Sequence, residues 1–256
     1  MAARILLRSG RNYSAVSEAS VLTIGGAKGG AGKTVTAINV ASAVRSVGYS
    51  VVVVDADLGT TNVADILELD CETSIHKVLA GEADIGEAIV TTETGLDVVS
   101  GGDSLEYLID ADPAELRPVI DTLADSYDVV IIDTGTGLSH EVLVPFGLAD
   151  GVVLVSTPKN TSIVDTRKTA EVVEKVDGTL LGVVVTRVTD DTDVDRVRDQ
   201  IDLDLLGLLS DDPQACKTEP VVMEAPDSDL ADGYRQLATT LIRLENDRKD
   251  ADGDDQ

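Results

Sequence analysis

The chain has 256 residues, enough for one large core, and its 47 Asp and Glu against 20 Lys and Arg give a formal net charge of −27. That balance argues against non-specific binding to DNA or to anionic lipid, both of which would be repelled. The acids are spread along the sequence rather than gathered in one block, the pattern of a surface suited to a salt-loaded cytoplasm, and a halophilic source is the expectation.

Residues 1–20 read as a short flexible arm in which Ile5, Leu6 and Leu7 lie among Arg4, Arg8 and Arg11. The arm lacks the apolar core of a signal peptide, and no later run is long enough to cross a bilayer, so the expected location is cytoplasmic. Val21–Ile24 is then a short buried strand, followed by a glycine-rich turn and by Lys33-Thr34 opening a helix, the context that a phosphate-cradling P-loop requires. Gly29, Gly30 and Gly32 let backbone N–H groups converge on an anion with no Cβ in the way, at a helix end whose dipole favours negative charge. Lys33 is placed to reach the β- and γ-phosphates, and the Thr34 hydroxyl to hold Mg²⁺. The strict G-x-x-x-x-G-K-[ST] pattern fails at Ala27, and what fits is K-G-G-x-G-K-T, with an additional lysine, Lys28, heading the loop.

This variant resembles the deviant Walker A motif of the MinD/ParA family of dimerising P-loop ATPases, closest to its archaeal MinD-like members. The resemblance implies ATP and Mg²⁺ as cofactors and a homodimer formed on ATP binding, in which Lys28 contacts phosphate in the partner subunit. It also implies nucleotide contacts along Lys28, Gly29, Gly30, Ala31, Gly32, Lys33, Thr34 and Val35. At Val35 the family commonly has a threonine on the α-phosphate, which predicts weaker binding here.

Further along, Ala37, Val40, Ala41, Val44 and Val47 recur at helical spacing up to Gly48. Val51–Val54 is a continuous β-branched run, a strand buried on both faces of a parallel sheet, and it ends in Asp55-Ala56-Asp57, where open α/β sheets bind ligands. By the resemblance, Asp57 orients or deprotonates the attacking water, Asp55 supports the Mg²⁺ shell through water, and Asn62 sits in a switch that feels the γ-phosphate. Short helices over 74–80 and 83–89, a strand over 96–100 and a helix over 113–123 follow, with Pro118 as a complication. His76 reads as a surface or capping histidine with no chemical role. Cys71 and Cys216 stand far apart in no C-x-x-C pair, so neither a disulfide framework nor a cluster or zinc site is expected.

Val129–Ile132 forms a second buried strand that delivers Asp133 where a Walker B aspartate meets the Mg²⁺ shell. Gly135 and Gly137 let the next segment move, and a backbone N–H there can contact the γ-phosphate. The family usually has a proline-alanine pair at Gly135-Thr136. Adjacent residues His140 and Glu141 open a helix and, facing different ways, are assigned no metal or acid–base role.

Gly151–Thr157 is a third buried strand, and the helix after it carries Ser162 and Asp165 in the family's register, which implies that Asp165 pairs with Lys28 in at least one nucleotide state. Lys159 replaces a glutamate directed to the ribose. Thr186 and Arg187, ending a strand from Leu180, stand near the position of an adenine-contacting asparagine. Asp211 and Pro213, after the strand Leu205–Leu209, begin a loop expected over the base. An amphipathic helix, Leu230–Leu244, closes the domain. The expected organisation is one ATPase domain over residues 21–246 and a disordered acidic tail over 247–256. The tail lacks the basic membrane-inserting helix of bacterial MinD, and the net charge is unsuited to the DNA contacts of ParA proteins.

The resulting expectation is a three-layer, doubly wound, mostly parallel α/β sheet of P-loop type. Its function would be an ATP-hydrolysing dimerisation switch that positions or regulates a cellular structure through an unidentified protein partner. An ATP-dependent ligase for a small carboxylate, an ATP-binding scaffold without useful hydrolysis and a metallocluster carrier are the alternatives on the same scaffold; the missing cysteine pairs count against the last.

Overall fold

Runs of valine and isoleucine build the middle of the sheet in the computed structural model, which describes residues 19–60, 62–102, 113–137 and 139–253. In chain order the elements are β1 (Ser20–Gly25), α1 (Lys33–Ser46), β2 (Val51–Ala56), α2 (Val63–Ile66), α3 (Ile75–Leu79), α4 (Ile85–Ala88), β3 (Ile89–Thr91) and β4 (Asp97–Val99). They continue with α5 (Leu116–Ala124), β5 (Val129–Thr134), α6 (His140–Leu148), β6 (Gly151–Ser156), α7 (Asn160–Lys175), β7 (Leu180–Val188), α8 (Val194–Ile201), β8 (Leu205–Ser210), α9 (Val221–Glu224) and α10 (Asp229–Gly253). The described strands form one eight-stranded sheet in the order β3-β4-β2-β5-β1-β6-β7-β8. Among the described strands only the β3–β4 pair is antiparallel. Pro118 disturbs nothing, because it lies in the first turn of α5, where its missing N–H has no helical partner to lose.

Strand period separates the two faces. Ile24, Val51, Val53, Val129 and Ile131 pack with α1 and α10 on one side. Val52, Val54, Val130 and Ile132 pack with α3 and α5 on the other, and Val152, Leu154, Val183 and Val185 with α6, α7 and α8 beside them. Each such aliphatic side chain contributes about 1.5–3 kcal/mol when fully buried, so a one-residue slip of any central strand is strongly disfavoured. β1 therefore sits in the middle, between β5 and β6, and the loop leaving its carboxyl end emerges where ligands bind in sheets of this kind.

At the opposite end of the sheet the closing helix runs through Gly253, past the boundary at which a disordered tail was expected from residue 247. Tertiary contact explains the extension: Arg248 reaches the carboxylate of Asp150 at 3.5 Å and that of Glu245 at 3.1 Å, and Asp150 in turn accepts the Val21 N–H at 2.8 Å. The last turns are thus pinned to the start of β1 and β6. Residues 254–256 and the arm over 1–18 lie outside the described residues, and β1 begins at Ser20, one residue before the expected domain start. His76 is buried at 1% exposure rather than at the surface.

The lead into the loop tolerates no side chain. A Cβ on Gly26 would stand 2.7 Å from the Val155 carbonyl oxygen, a backbone atom of β6 that cannot turn aside. Gly26→Ala is expected to lower the unfolding free energy by about 1–3 kcal/mol in denaturant titrations, the range for overpacking.

Candidate active site

The loop after β1 closes by glycine geometry. Gly30 and Gly32 take φ of +74° and +90°, and Gly32 is the N-cap of α1. Ala27 has no such φ, so an L-residue is tolerated where the strict motif has its first glycine. The Thr186 hydroxyl bonds the Ala31 carbonyl at 2.7 Å and the Ser156 carbonyl at 3.1 Å, fastening the loop to the ends of β6 and β7. Thr186 was expected at the base; its hydroxyl is committed to the loop backbone instead.

A cleft of about 410 Å³ opens above the loop, lined among others by Gly30, Lys33, Thr34, Asp57, Asn62 and Arg187. Gly29, Gly32, Val35, Thr60, Ile66 and Thr136 complete its lining. Asp211 and Pro213 are exposed at and beyond the end of β8 and do not line it. Arg187 holds a left-handed backbone, φ 58°, an uncommon conformation for a non-glycine residue and one that concentrates at functional sites.

Three carboxylates converge beneath the cleft. Asp55 and Asp133 are register partners at the ends of β2 and β5, and both are fully buried. Asp55 accepts the backbone N–H groups of Asp57, Asn62 and Val63 at 3.2, 3.0 and 3.2 Å. Burial pushes its pKa up to about 6 against the pull of those N–H groups. It was expected to support a metal through water; its two oxygens are first the anchor of the loop over 57–63. Among the described residues neither oxygen of Asp133 has a hydrogen-bond partner of full geometry. Burial, then the Asp55 charge, raises its pKa well above the usual carboxylate range, while the Thr34 hydroxyl and the Lys33 ammonium nearby pull it down. A buried carboxylate with spare acceptors beside a helix-opening threonine is a donor set suited to Mg²⁺, with hard oxygens on adjacent elements. Lys33 is itself buried, at 7% exposure.

Asp57 is half-buried, and burial raises its pKa while the Thr60 N–H, donated at 3.1 Å, and Lys33 lower it. A Cβ on Gly135 would lie 2.9 Å from Asp57 Oδ1. The glycine noted in the sequence for its mobility is therefore also what leaves Asp57 its place. Asn62 lines the cleft as the residue preceding α2, its side chain donating to the Thr60 carbonyl at 2.6 Å.

Lys28 is exposed, and its Nζ donates to the Thr161 hydroxyl at 2.8 Å. The expected partner, Asp165, lies one turn further along α7 and pairs with Lys168 at 3.7 Å. Thr161, at the start of α7, meets the loop first. The sequence carried one indirect signal of it, its position beside Ser162, whose hydroxyl accepts the Thr157 N–H at 3.1 Å and shapes the turn between β6 and α7.

Phosphate is what such a loop is shaped to hold, and the sheet around it is that of the P-loop nucleotide-binding proteins. A family model described as an AAA domain matches residues 19–181. An uncharacterised ATP-binding protein of Methanocaldococcus jannaschii, MJ0547, is 32% identical over 232 residues, 88% of each chain. The septum site-determining protein MinD of Bacillus subtilis is 26% identical over 248 residues, covering 89% of this chain and 90% of its own. The MinD of Pyrococcus horikoshii, solved in complex with Mg-ADP, superposes with a TM-score of 0.82 at 30% identity over 88% of this chain and 97% of its own. The chain belongs to the MinD/ParA family of P-loop ATPases.

The carboxylates also set a pH dependence. The native pKa values of Asp55 and Asp133 lie above those of an unfolded chain, so between about pH 4 and 6 the native state binds more protons and this contribution to stability falls as pH rises. Asp133→Asn is expected to stabilise the metal- and nucleotide-free protein at pH 7 by about 2 kcal/mol or more, an unpaired buried charge being removed. In denaturant titrations that gain should shrink toward pH 4.

Proposed function

We propose that the protein is an ATP-driven dimerisation switch. The observation that carries this reading is the exposed Lys28 next to the cleft-lining Gly29, held among the described residues by the Thr161 hydroxyl, a bond it can exchange for one to a phosphate oxygen. The loop N–H groups and Lys33 bind the phosphates of ATP from one side, and Lys28 of the partner subunit approaches from the other. Thr34 and Asp133 would hold Mg²⁺, which would supply positive charge against the phosphates. Asp57 orients the attacking water or takes its proton, with its position kept by the Thr60 N–H and by the bare Gly135 beneath it. Asp55 keeps the loop over 57–63 in register with that carboxylate, and Asn62 and Gly135 face the γ-phosphate. Phosphoryl transfer to water asks little covalent work of the protein, so positioning and charge supply most of the rate.

Names among the relatives refer to placement of the division septum, and we extend that to this chain as spatial positioning or regulation of a cellular structure through a protein partner. The described residues contain no helix long and apolar enough to cross a membrane. We assign any recruitment to a membrane or pole to that partner. The dispersed charge of −27 fits a salt-loaded cytoplasm and makes association with a polyanion such as nucleic acid unfavourable.

Light scattering on the full chain checks the switch. Wild type should double its mass with MgATP and return to the smaller species with ADP. Lys28→Ala should still bind nucleotide but stay at the smaller mass and lose turnover, and undiminished turnover would contradict the assignment. Asp57→Ala should dimerise with ATP and hydrolyse it about 10²–10⁴-fold more slowly, the usual contribution of a positioned base. Turnover that requires an added small carboxylate would point to a ligase instead.

A further inference from the structure

At the end of the sheet opposite the phosphate loop, where β1 and β5 begin, a second cavity of about 280 Å³ lies between the last turns of α1 and α10. Leu22, Val44, Val129, Leu241 and Ile242 give it apolar walls, and the exposed Asn246 lines it too, so it reaches the surface. One water needs only about 10–15 Å³, so this space is of the size of side chains. Apolar cavities left unfilled lower stability in proportion to their volume, and walls of this kind are explained by aliphatic groups that cover them.

One part of the wall is polar and incomplete. Glu245, on α10, is 3% exposed and lines the cavity. Its Oε2 meets Arg248 at 3.1 Å, whereas its Oε1 is buried among the described residues without a hydrogen-bond partner. A buried acceptor in that condition is costly, and a guanidinium, with its donors in a fixed fork, is well shaped to meet it. Asp128 and Lys249 also line the cavity, so its charged groups are two carboxylates and one ammonium.

Where the chain enters the fold indicates what fills this space. Ser20, the first residue of β1, lines the cavity and donates its N–H to the Asp128 carbonyl at 3.0 Å. The arm over 1–18, outside the described residues, therefore joins the body beside the cavity wall. It carries Ile5-Leu6-Leu7 between Arg4 and Arg8, with Arg11 beyond and Glu18 as its one acid, on a chain whose net charge is −27. The stretch from Leu6 to Ser20 can span up to about 45 Å, enough for the run to turn back to a cavity that Ser20 itself lines. Tethering also gives it an effective concentration on the order of 1 mM, which favours it over a separate molecule.

We propose that the cavity at the start of β1 and β5 is the docking site of the chain's own arm: Ile5–Leu7 cover the apolar walls, and Arg4 or Arg8 answers the open oxygen of Glu245. The cavity shares no lining residue with the phosphate cleft, so this docking stands independently of the nucleotide switch.

Two measurements on the full chain test it. In hydrogen exchange read by mass spectrometry, the amides over 4–8 should exchange at least about tenfold more slowly than in a peptide of residues 1–18. Leu6→Asp should restore fast exchange there while the β5 amides stay as protected as in wild type. For disulfide trapping, Cys71 and Cys216 are first replaced by serine. Leu6→Cys with Ile242→Cys should then form an intrachain bridge at least about tenfold faster than Leu6→Cys with Val164→Cys, a control site exposed on α7. Unprotected amides over 4–8, protection that survives Leu6→Asp, or equal rates for the two cysteine pairs overturn the proposal. A bridge between two chains, seen as doubled mass on a non-reducing gel, also overturns it and assigns the cavity to a second copy. Should Ile242→Cys fail to fold, the exchange comparison with Leu6→Asp leaves the body unaltered and decides alone.

Discussion

Two aspartates buried side by side at the ends of adjacent strands are the constraint around which the rest of the site is arranged. Asp55 and Asp133 lie beneath the same cleft at the ends of β2 and β5, and the Asp55 charge raises the cost of ionising Asp133. The fold answers them differently. Asp55 is satisfied by three backbone N–H groups of the loop it anchors, so its charge is converted into loop geometry. Asp133 has a lysine and a threonine nearby but, among the described residues, no hydrogen bond of full geometry, so its oxygens stay available. Such a carboxylate weakens a protein unless something of opposite charge is brought to it, which is the arrangement expected where affinity for a cation has been favoured over stability.

Lys33 ties this pair to the phosphate loop. Buried at the start of α1, it lowers the pKa of both Asp57 and Asp133 and also lines the cleft where phosphate would sit. Its charge is thus shared between the acids below and the anion above. The backbone around it is braced as well, by Thr186 through Ala31 and by the close approach of Gly26 to β6.

The sheet was legible because runs such as Val51–Val54 and Val129–Ile132 can only be strands buried on both faces, and acids placed straight after them must stand at the carboxyl ends. The loop was legible because glycine, lysine and threonine at that spacing have one shared physical use. What could not be read was any preference decided by distance between elements remote in sequence. Lys28 could choose among several polar side chains on α7, and only the closeness of the first turn selects Thr161 over Asp165. The C-terminal run is polar enough to be read as disordered, yet the Asp150 carboxylate, far away in sequence, gives Arg248 a reason to stay helical. His76 misled for the same reason, since nothing in its neighbours along the chain announces that α3 packs it inward.

The departures from the family motifs take on a physical meaning once these distances are known. Ala27 costs nothing, because its backbone never needed a glycine. Gly135 differs: the Asp57 carboxylate occupies the space into which a Cβ there would project. The segment after β5 and the Asp57 carboxylate thus lie side by side, and a side chain added at position 135 would have to displace that carboxylate. A proline-alanine turn would require another place for it; here Asp55, holding the loop from below by three N–H groups, fixes the strand end from which Asp57 rises.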